Sequence, residues 1–439
     1  MLKGFSCISK YALLGIGLLI HIAFFISARW TKWFNYFFPS SSLHLCCQGM
    51  DFYQIPNGAY SYWHGGPFSV GHDTALYWYS VGFPIVNATV YHPVFVLLIG
   101  SPLILFPPAA SFYVWMFIKL CVNLALLTYF FISFREHKYI YLATFLSLIN
   151  ATQYLEIAIS QFQFVLNTMF LLMLIVLAKR ENSPLGGFFY FLTLITKPIG
   201  LLWIPLLIFK RQWNVLVIGL GLLAIATGPF LFNHVGNYYI DNLWNNFFTP
   251  IKSGPIQIVT LDALLRHSMP LPESVLTAIK FSCLVLVIIL SAFKRISLQT
   301  SLFLAIAYYL LFYDLVYEYQ YTTLIPILAI CLVTRPEFQR LSSRICIVLI
   351  SLPSALFLLH LLYSWDFKLG SLDATTTMTM DPWPDPTDLG WQLFVLSHIV
   401  PLIALAVCVV KPFVIPIIKD TLPLIKNIRK LNQELEVFG

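Results

Sequence analysis

The sequence predicts an all-α polytopic membrane protein, and three observations carry that prediction. Hydrophobic residues make up 59% of the 439-residue chain and charged residues only 10%, where a soluble domain carries about 25%. Mean hydropathy is +0.80. Apolar runs near span length recur along the chain, with most basic residues in the short gaps between them. Hydrocarbon offers no water to backbone amides, so such runs are expected as helices. The net charge of +7 is a topology signal and not a nucleic-acid one.

The first apolar run, 11–28, follows Lys3 and Lys10. Arg29-Trp30-Thr31-Lys32-Trp33 comes next instead of a small-residue cleavage site, so an uncleaved first helix is expected. Further span candidates are 109–133, 139–158, 164–178, 214–232, 274–293, 297–316, 321–333, 344–362 and 392–410. Residues 92–107 are apolar but short, and end in Pro107-Pro108. Residues 185–209 form a long run broken at Lys197-Pro198, either two short spans or a re-entrant pair.

Charge decides between topologies. Suppose 92–107 does not cross and 185–209 crosses twice. The basic loops at Arg135/Lys138, Lys179/Arg180, Lys210/Arg211, Lys294/Arg295 and Arg335/Arg340/Arg344 then all lie inside, with the N-terminus and the tail 412–439. Counting Lys411 beside the tail, these hold 18 of the 26 Lys and Arg. The expected total is about twelve spans in one transmembrane domain. Four segments then face outward: 29–91, 233–273, the Tyr317–Tyr321 turn, and 363–391 with Asp366, Asp373, Asp381, Asp385 and Asp388. No internal repeat is evident, which argues against a transporter. The eight cysteines suggest no disulfide framework, and no metal-ligand spacing occurs.

Asp51, in Gly49-Met50-Asp51-Phe52-Tyr53, is a carboxylate just outside the first span. It suits a general base facing a lipid-borne substrate; an ordinary loop acid is the plainer alternative. Tyr53, Tyr60, Tyr62, Trp63 and His64 are candidates for sugar stacking or phosphate contact, or members of an aromatic belt. His92 either points into an outer cavity or caps a helix begun by Pro93. Gln161 and Gln163, in Ser160-Gln161-Phe162-Gln163, offer amides to a substrate or to a neighbouring helix. Lys197 is a cation inside an apolar run, costly there unless it is paired or faces water. With Pro198 breaking the helix, it is placed to meet an anion such as a lipid phosphate, or lies in the interface of a short hairpin. Lys119 and Glu156 are further intramembrane ionisable residues, accommodated by snorkelling or by mutual pairing. Residues 257–267 look like an interfacial helix whose Arg266 either binds phosphate bidentately or serves the surface.

In order along the chain, these residues resemble one family. Asp51-Phe52-Tyr53 resembles its Asp-Phe/Leu-x-x-Tyr region, and Tyr91-His92-Pro93 its Tyr-Pro-Pro start, with Trp115 and Asn123 following at a similar spacing. Ser160-Gln161-Phe162-Gln163 is similar to Gly-Gln-x-Asn. Lys197-Pro198, Pro205 and Arg211-Gln212-Trp213 look like its Lys-Pro, Pro and Arg-x-Trp stretch. Gln257 to Arg266 resembles its Asn-Gln-Ser-Leu to Leu-Arg segment, and Tyr317 to Tyr321 stands where it often has Trp-x-His-His-Tyr. The family is glycosyltransferase family 87, and the similarity runs over roughly residues 1–335. Ser160, Gln163, His92 and the missing His-His pair depart from its pattern.

The resemblance implies a GT-C-type membrane fold with the active site on outer-face loops. It implies inverting transfer of a monosaccharide from a polyprenyl-phosphate donor to a lipid or glycan hydroxyl, without a metal or other cofactor. Mannose is one such sugar. The family's catalytic Asp maps onto Asp51. A departing phosphate needs cations, and Lys197 and Arg266 are the residues expected there, with His64 behind them. Tyr53, His92 and Gln161 complete the expected substrate contacts. Membrane lipids, the donor and the acceptor are the expected partners, in a bacterial inner membrane. A flippase of a lipid-linked sugar would need repeat-related broken helices, and only one break is present. A polysaccharide polymerase or ligase would need an Arg-rich outer loop, which 233–273 is not.

Overall fold

A computed structural model of the chain describes residues 2–30, 52–64, 91–150, 152–159, 162–232, 260–269, 271–313, 316, 318–352 and 395–416. In chain order the helices are α1 (Leu2–Trp30), α2 (Gln54–Trp63), α3 (Pro93–Leu103), α4 (Pro108–Ser133), α5 (Ile140–Ile149), α6 (Thr152–Ile159), α7 (Gln163–Lys179) and α8 (Pro184–Thr196). A 3-10 turn, Pro198–Trp203, leads into α9 (Ile204–Phe209), α10 (Trp213–Leu231), α11 (Leu261–Ser268), α12 (Glu273–Ala292) and α13 (Leu298–Phe312). A second 3-10 turn, Glu318–Thr323, precedes α14 (Leu324–Thr334), α15 (Leu341–Ser351) and α16 (Val395–Pro416). The described residues contain no strand. Four of their helices, α4, α10, α12 and α16, are long and apolar enough to cross a membrane. At 11 residues, α3 extends about 16 Å, roughly half the hydrocarbon thickness, and is too short to cross alone.

Two apolar runs are divided, each by a residue whose chemistry opposes the helix. The run 139–158, expected as one span, is two helices separated at Asn150. The Asn150 side-chain oxygen accepts from the Thr152 amide at 3.1 Å and from its hydroxyl at 2.5 Å. An Asn that bonds its own backbone two residues on competes with the helical ladder and starts a new helix. The run 185–209 breaks at Lys197, which is extended at φ −148°, ψ 137°. Pro198 disfavours a helical conformation in the residue before it, so the break follows from sequence. The Tyr190 hydroxyl donates to the Gly200 carbonyl at 2.9 Å and ties the 3-10 turn back onto α8.

Small residues let these elements approach closely. α8 packs against α7 and α10, and a Cβ on Gly187 would lie 3.0 Å from the Asn214 carbonyl oxygen of α10. α2 packs on α3 at Gly100, where a Cβ would sit 2.6 Å from the Ile55 carbonyl oxygen and 2.7 Å from the Ala59 Cβ. The Trp63 indole also donates to the Ser101 hydroxyl at 2.9 Å. Gly100→Ala is therefore expected to push α2 off α3 and destabilise the protein by about 1–3 kcal/mol. Thermal unfolding of the purified variant in detergent checks this; an unchanged midpoint contradicts it.

Candidate active site

Phe162 stands directly before α7 as its N-cap, fully buried. Its ring meets Trp115 at 5.0 Å, Phe95 at 5.6 Å, Tyr91 at 5.7 Å and Phe52 at 6.3 Å. Phe52 also packs edge-on against Phe112 at 5.6 Å. This aromatic cluster gathers the segment before α2, the start of α3, the first turns of α4 and the start of α7. Such rings bury large areas and hold a fixed mutual geometry. Asp51 lies outside the described residues; the two residues that follow it, Phe52 and Tyr53, are buried. Tyr53 is 4% exposed, and burial pushes its phenol well above the usual tyrosine range.

The next residue, Gln163, faces the broken helix. The Lys197 ammonium donates to Gln163 Oε1 at 2.9 Å and lies 5.6 Å from the centre of the Tyr319 ring. Gln163 Nε2 donates to Thr323 Oγ1 at 2.6 Å. Lys197 is half-buried, and Gln163 and Thr323 are buried. A cation placed over an aromatic face is stabilised by the ring quadrupole, which helps keep it charged away from bulk water.

Behind this sits an ion pair. The Lys119 ammonium meets Glu156 Oε2 at 2.7 Å, with side-chain exposures of 0% and 4%. Glu156 Oε1 accepts the Phe164 amide at 3.0 Å and so caps the N-terminus of α7, where negative charge is favoured. Of the two accommodations open to Lys119, the structure adopts pairing. Glu156 is also within electrostatic reach of Lys197. A small cleft opens beside Glu156, lined by Asn123, Gln153, Asn167 and Thr322 together with Phe25, Leu127 and Leu171.

His92 caps α3. The Val94 amide donates to its Nδ1 at 3.2 Å, and its Nε2 meets Thr227 Oγ1 at 3.0 Å. Nδ1 accepts, and the Thr227 hydroxyl proton goes to the Leu223 carbonyl, so the ring is the neutral Nε2–H tautomer. Its own amide donates to the Ile195 carbonyl at 3.2 Å, two residues before Lys197, and fixes the break against α3. His64 is exposed; it stacks on Tyr60 at 3.9 Å and its Nδ1 meets the Tyr60 carbonyl at 2.8 Å. Gln161 lies outside the described residues.

Arg266 stands on α11, an eight-residue helix capped by the Thr260 hydroxyl. Its guanidinium is held by Asp262 at 2.9 Å and by both carboxylate oxygens of Glu273, and Lys280 meets Asp262 at 3.0 Å. Those hydrogen bonds raise its already high pKa further. The structure thus brings Lys197 and the Phe52-Tyr53 segment to consecutive residues, Phe162 and Gln163, and engages Arg266 with carboxylates. Sequence reasoning offered Gln163 beside Gln161 as an amide for a substrate or a neighbouring helix but assigned the substrate contact to Gln161, and it assigned none to Thr323 or Tyr319. Gln163 carried one signal: a second amide directly before a long apolar run.

A family model, glycosyltransferase family 87, matches residues 90–317. That stretch contains His92, Gln163, Lys197 and Arg266, while Asp51, Tyr53 and His64 precede it. No curated protein matches the chain.

Proposed function

The chain belongs to glycosyltransferase family 87 and is a membrane glycosyltransferase, and on that premise we propose a specific reaction for it. The protein transfers a monosaccharide, with mannose the first to test, from a polyprenyl-phosphate donor to a hydroxyl of a lipid or glycan acceptor. Transfer inverts the anomeric centre. It takes place on the outer face of a bacterial inner membrane, in a GT-C-type fold of about twelve spans. Asp51 accepts the proton of the acceptor hydroxyl as its oxygen bonds to C1. The bond from C1 to the phosphate oxygen breaks, and polyprenyl phosphate leaves with both electrons. Lys197 neutralises charge growing on that phosphate.

One observation carries this proposal: the Lys197 ammonium, in a helix break, lies 2.9 Å from Gln163, whose neighbour Phe162 packs on Phe52, the residue after Asp51. An apolar chain beside a cation suits a lipid-borne phosphate. Arg266 joins the phosphate only if Glu273 swings away, and with 66% of its side chain exposed Glu273 is free to do so. The test is transfer of label from a radiolabelled polyprenyl-phosphate hexose in proteoliposomes containing a membrane lipid extract. Lys197→Met is expected to lower transfer about 10²-fold with protein folding intact. Wild-type rates in that variant contradict the assignment.

A further inference from the structure

We propose that Gln163 is a positioning residue that aims the Lys197 ammonium at the donor phosphate, through an amide orientation that Thr323 dictates. The inference rests on the phosphate role proposed above for Lys197. It follows from counting hydrogens. Thr323 Oγ1 has one proton, and it donates that proton to the Gln320 carbonyl at 2.8 Å. Towards Gln163 it can therefore only accept, and the atom 2.6 Å away must be Gln163 Nε2. The other end of the planar amide, Oε1, is then obliged to face Lys197, 2.9 Å away. An ammonium has only donors, so a flipped amide would set N–H against N–H and repel it.

The anchor is rigid. Thr323 closes the 3-10 turn Glu318–Thr323, Thr323 is fully buried and Gln163 is 2% exposed. The same turn supplies Tyr319, whose ring lies under the ammonium at 5.6 Å. The Gln320 side chain, one residue on, accepts from the Tyr309 hydroxyl at 3.0 Å and binds the turn to α13. Glu156, bound to the Phe164 amide, holds the first turn of α7 on the other side of Gln163. Gln163 thus links two fixed backbones to one flexible lysine. A long side chain at a break has many rotamers, and restricting them before the substrate arrives lowers the ordering cost of binding.

The test reads binding of polyprenyl phosphate, the proposed leaving group, to the purified full-length protein in detergent, beside thermal stability. Gln163→Met keeps length and removes both amide ends. It is expected to weaken binding about tenfold, the value of one hydrogen bond to a charged group. Thr323→Val removes only the lock and is expected to weaken binding about threefold, and it keeps the test usable if Gln163→Met folds poorly. In a Lys197→Met background, Gln163→Met is expected to add nothing, because it acts through the lysine. The inference is overturned if Gln163→Met and Thr323→Val bind normally while Lys197→Met does not. It is equally overturned if Gln163→Met loses the same factor with and without Lys197. Normal binding by Lys197→Met would instead refute the phosphate role of the lysine itself.

Discussion

Lys119→Met is expected to be among the most destabilising single substitutions in this protein, costing about 3–5 kcal/mol. The pair it breaks joins α4 to α6 across 37 residues of sequence at 2.7 Å, with both side chains buried. Removing the ammonium leaves the Glu156 carboxylate with the Phe164 amide as its remaining described hydrogen-bond donor. A buried carboxylate that has lost its counter-charge is costly, and one donor offsets only part of that cost. The double variant Lys119→Met/Glu156→Gln removes both charges and keeps a group able to accept from Phe164. It is expected to recover most of the loss, since a buried ion pair is often replaceable as a unit. Thermal unfolding in detergent of the two single variants and the double variant checks this. Additive losses in the double variant would show that the two residues do not act together.

Much of this architecture is legible in the residues. α4, α10 and α12 follow apolar runs read from composition alone, and the break at Lys197 follows from Pro198. The break at Asn150 was not legible. A lone Asn in an apolar run is tolerated in many helices, and only the bond from Thr152 makes this one a stop. The charged site was half legible. Lys119, Glu156 and Lys197 each stand out as ionisable groups in apolar surroundings. Their partners lie tens of residues away, and no local pattern selects them. That Gln163 reaches Lys197 is a matter of packing between segments 34 residues apart, which local sequence does not show. Arg266 shows the reverse difficulty. Its fork suits a phosphate, yet Asp262 at i−4 and Glu273 at i+7 already occupy it, and only the first spacing is a recognisable helical pair.

Asp51→Asn is expected to produce the largest loss of activity. Asn is nearly isosteric, but its neutral amide is too weak a base to take a proton, so the attacking hydroxyl would keep its proton into the transition state. The loss of a positioned general base is worth about 10²–10⁴ in rate. Donor affinity should change little, because the phosphate contacts assigned to Lys197 and Gln163 remain. A fall in kcat with KM nearly constant therefore separates this variant from Lys197→Met, in which donor binding suffers as well.

The most direct measurement compares wild type with Asp51→Asn in proteoliposomes supplied with radiolabelled polyprenyl-phosphate hexoses and a membrane lipid extract. Label passing to a new product with wild type, and falling at least 10²-fold with the normally folded variant, is the predicted result. Equal transfer by both proteins would contradict the role of Asp51. No transfer with any donor, accompanied by movement of the labelled lipid across the bilayer, would contradict the proposed reaction.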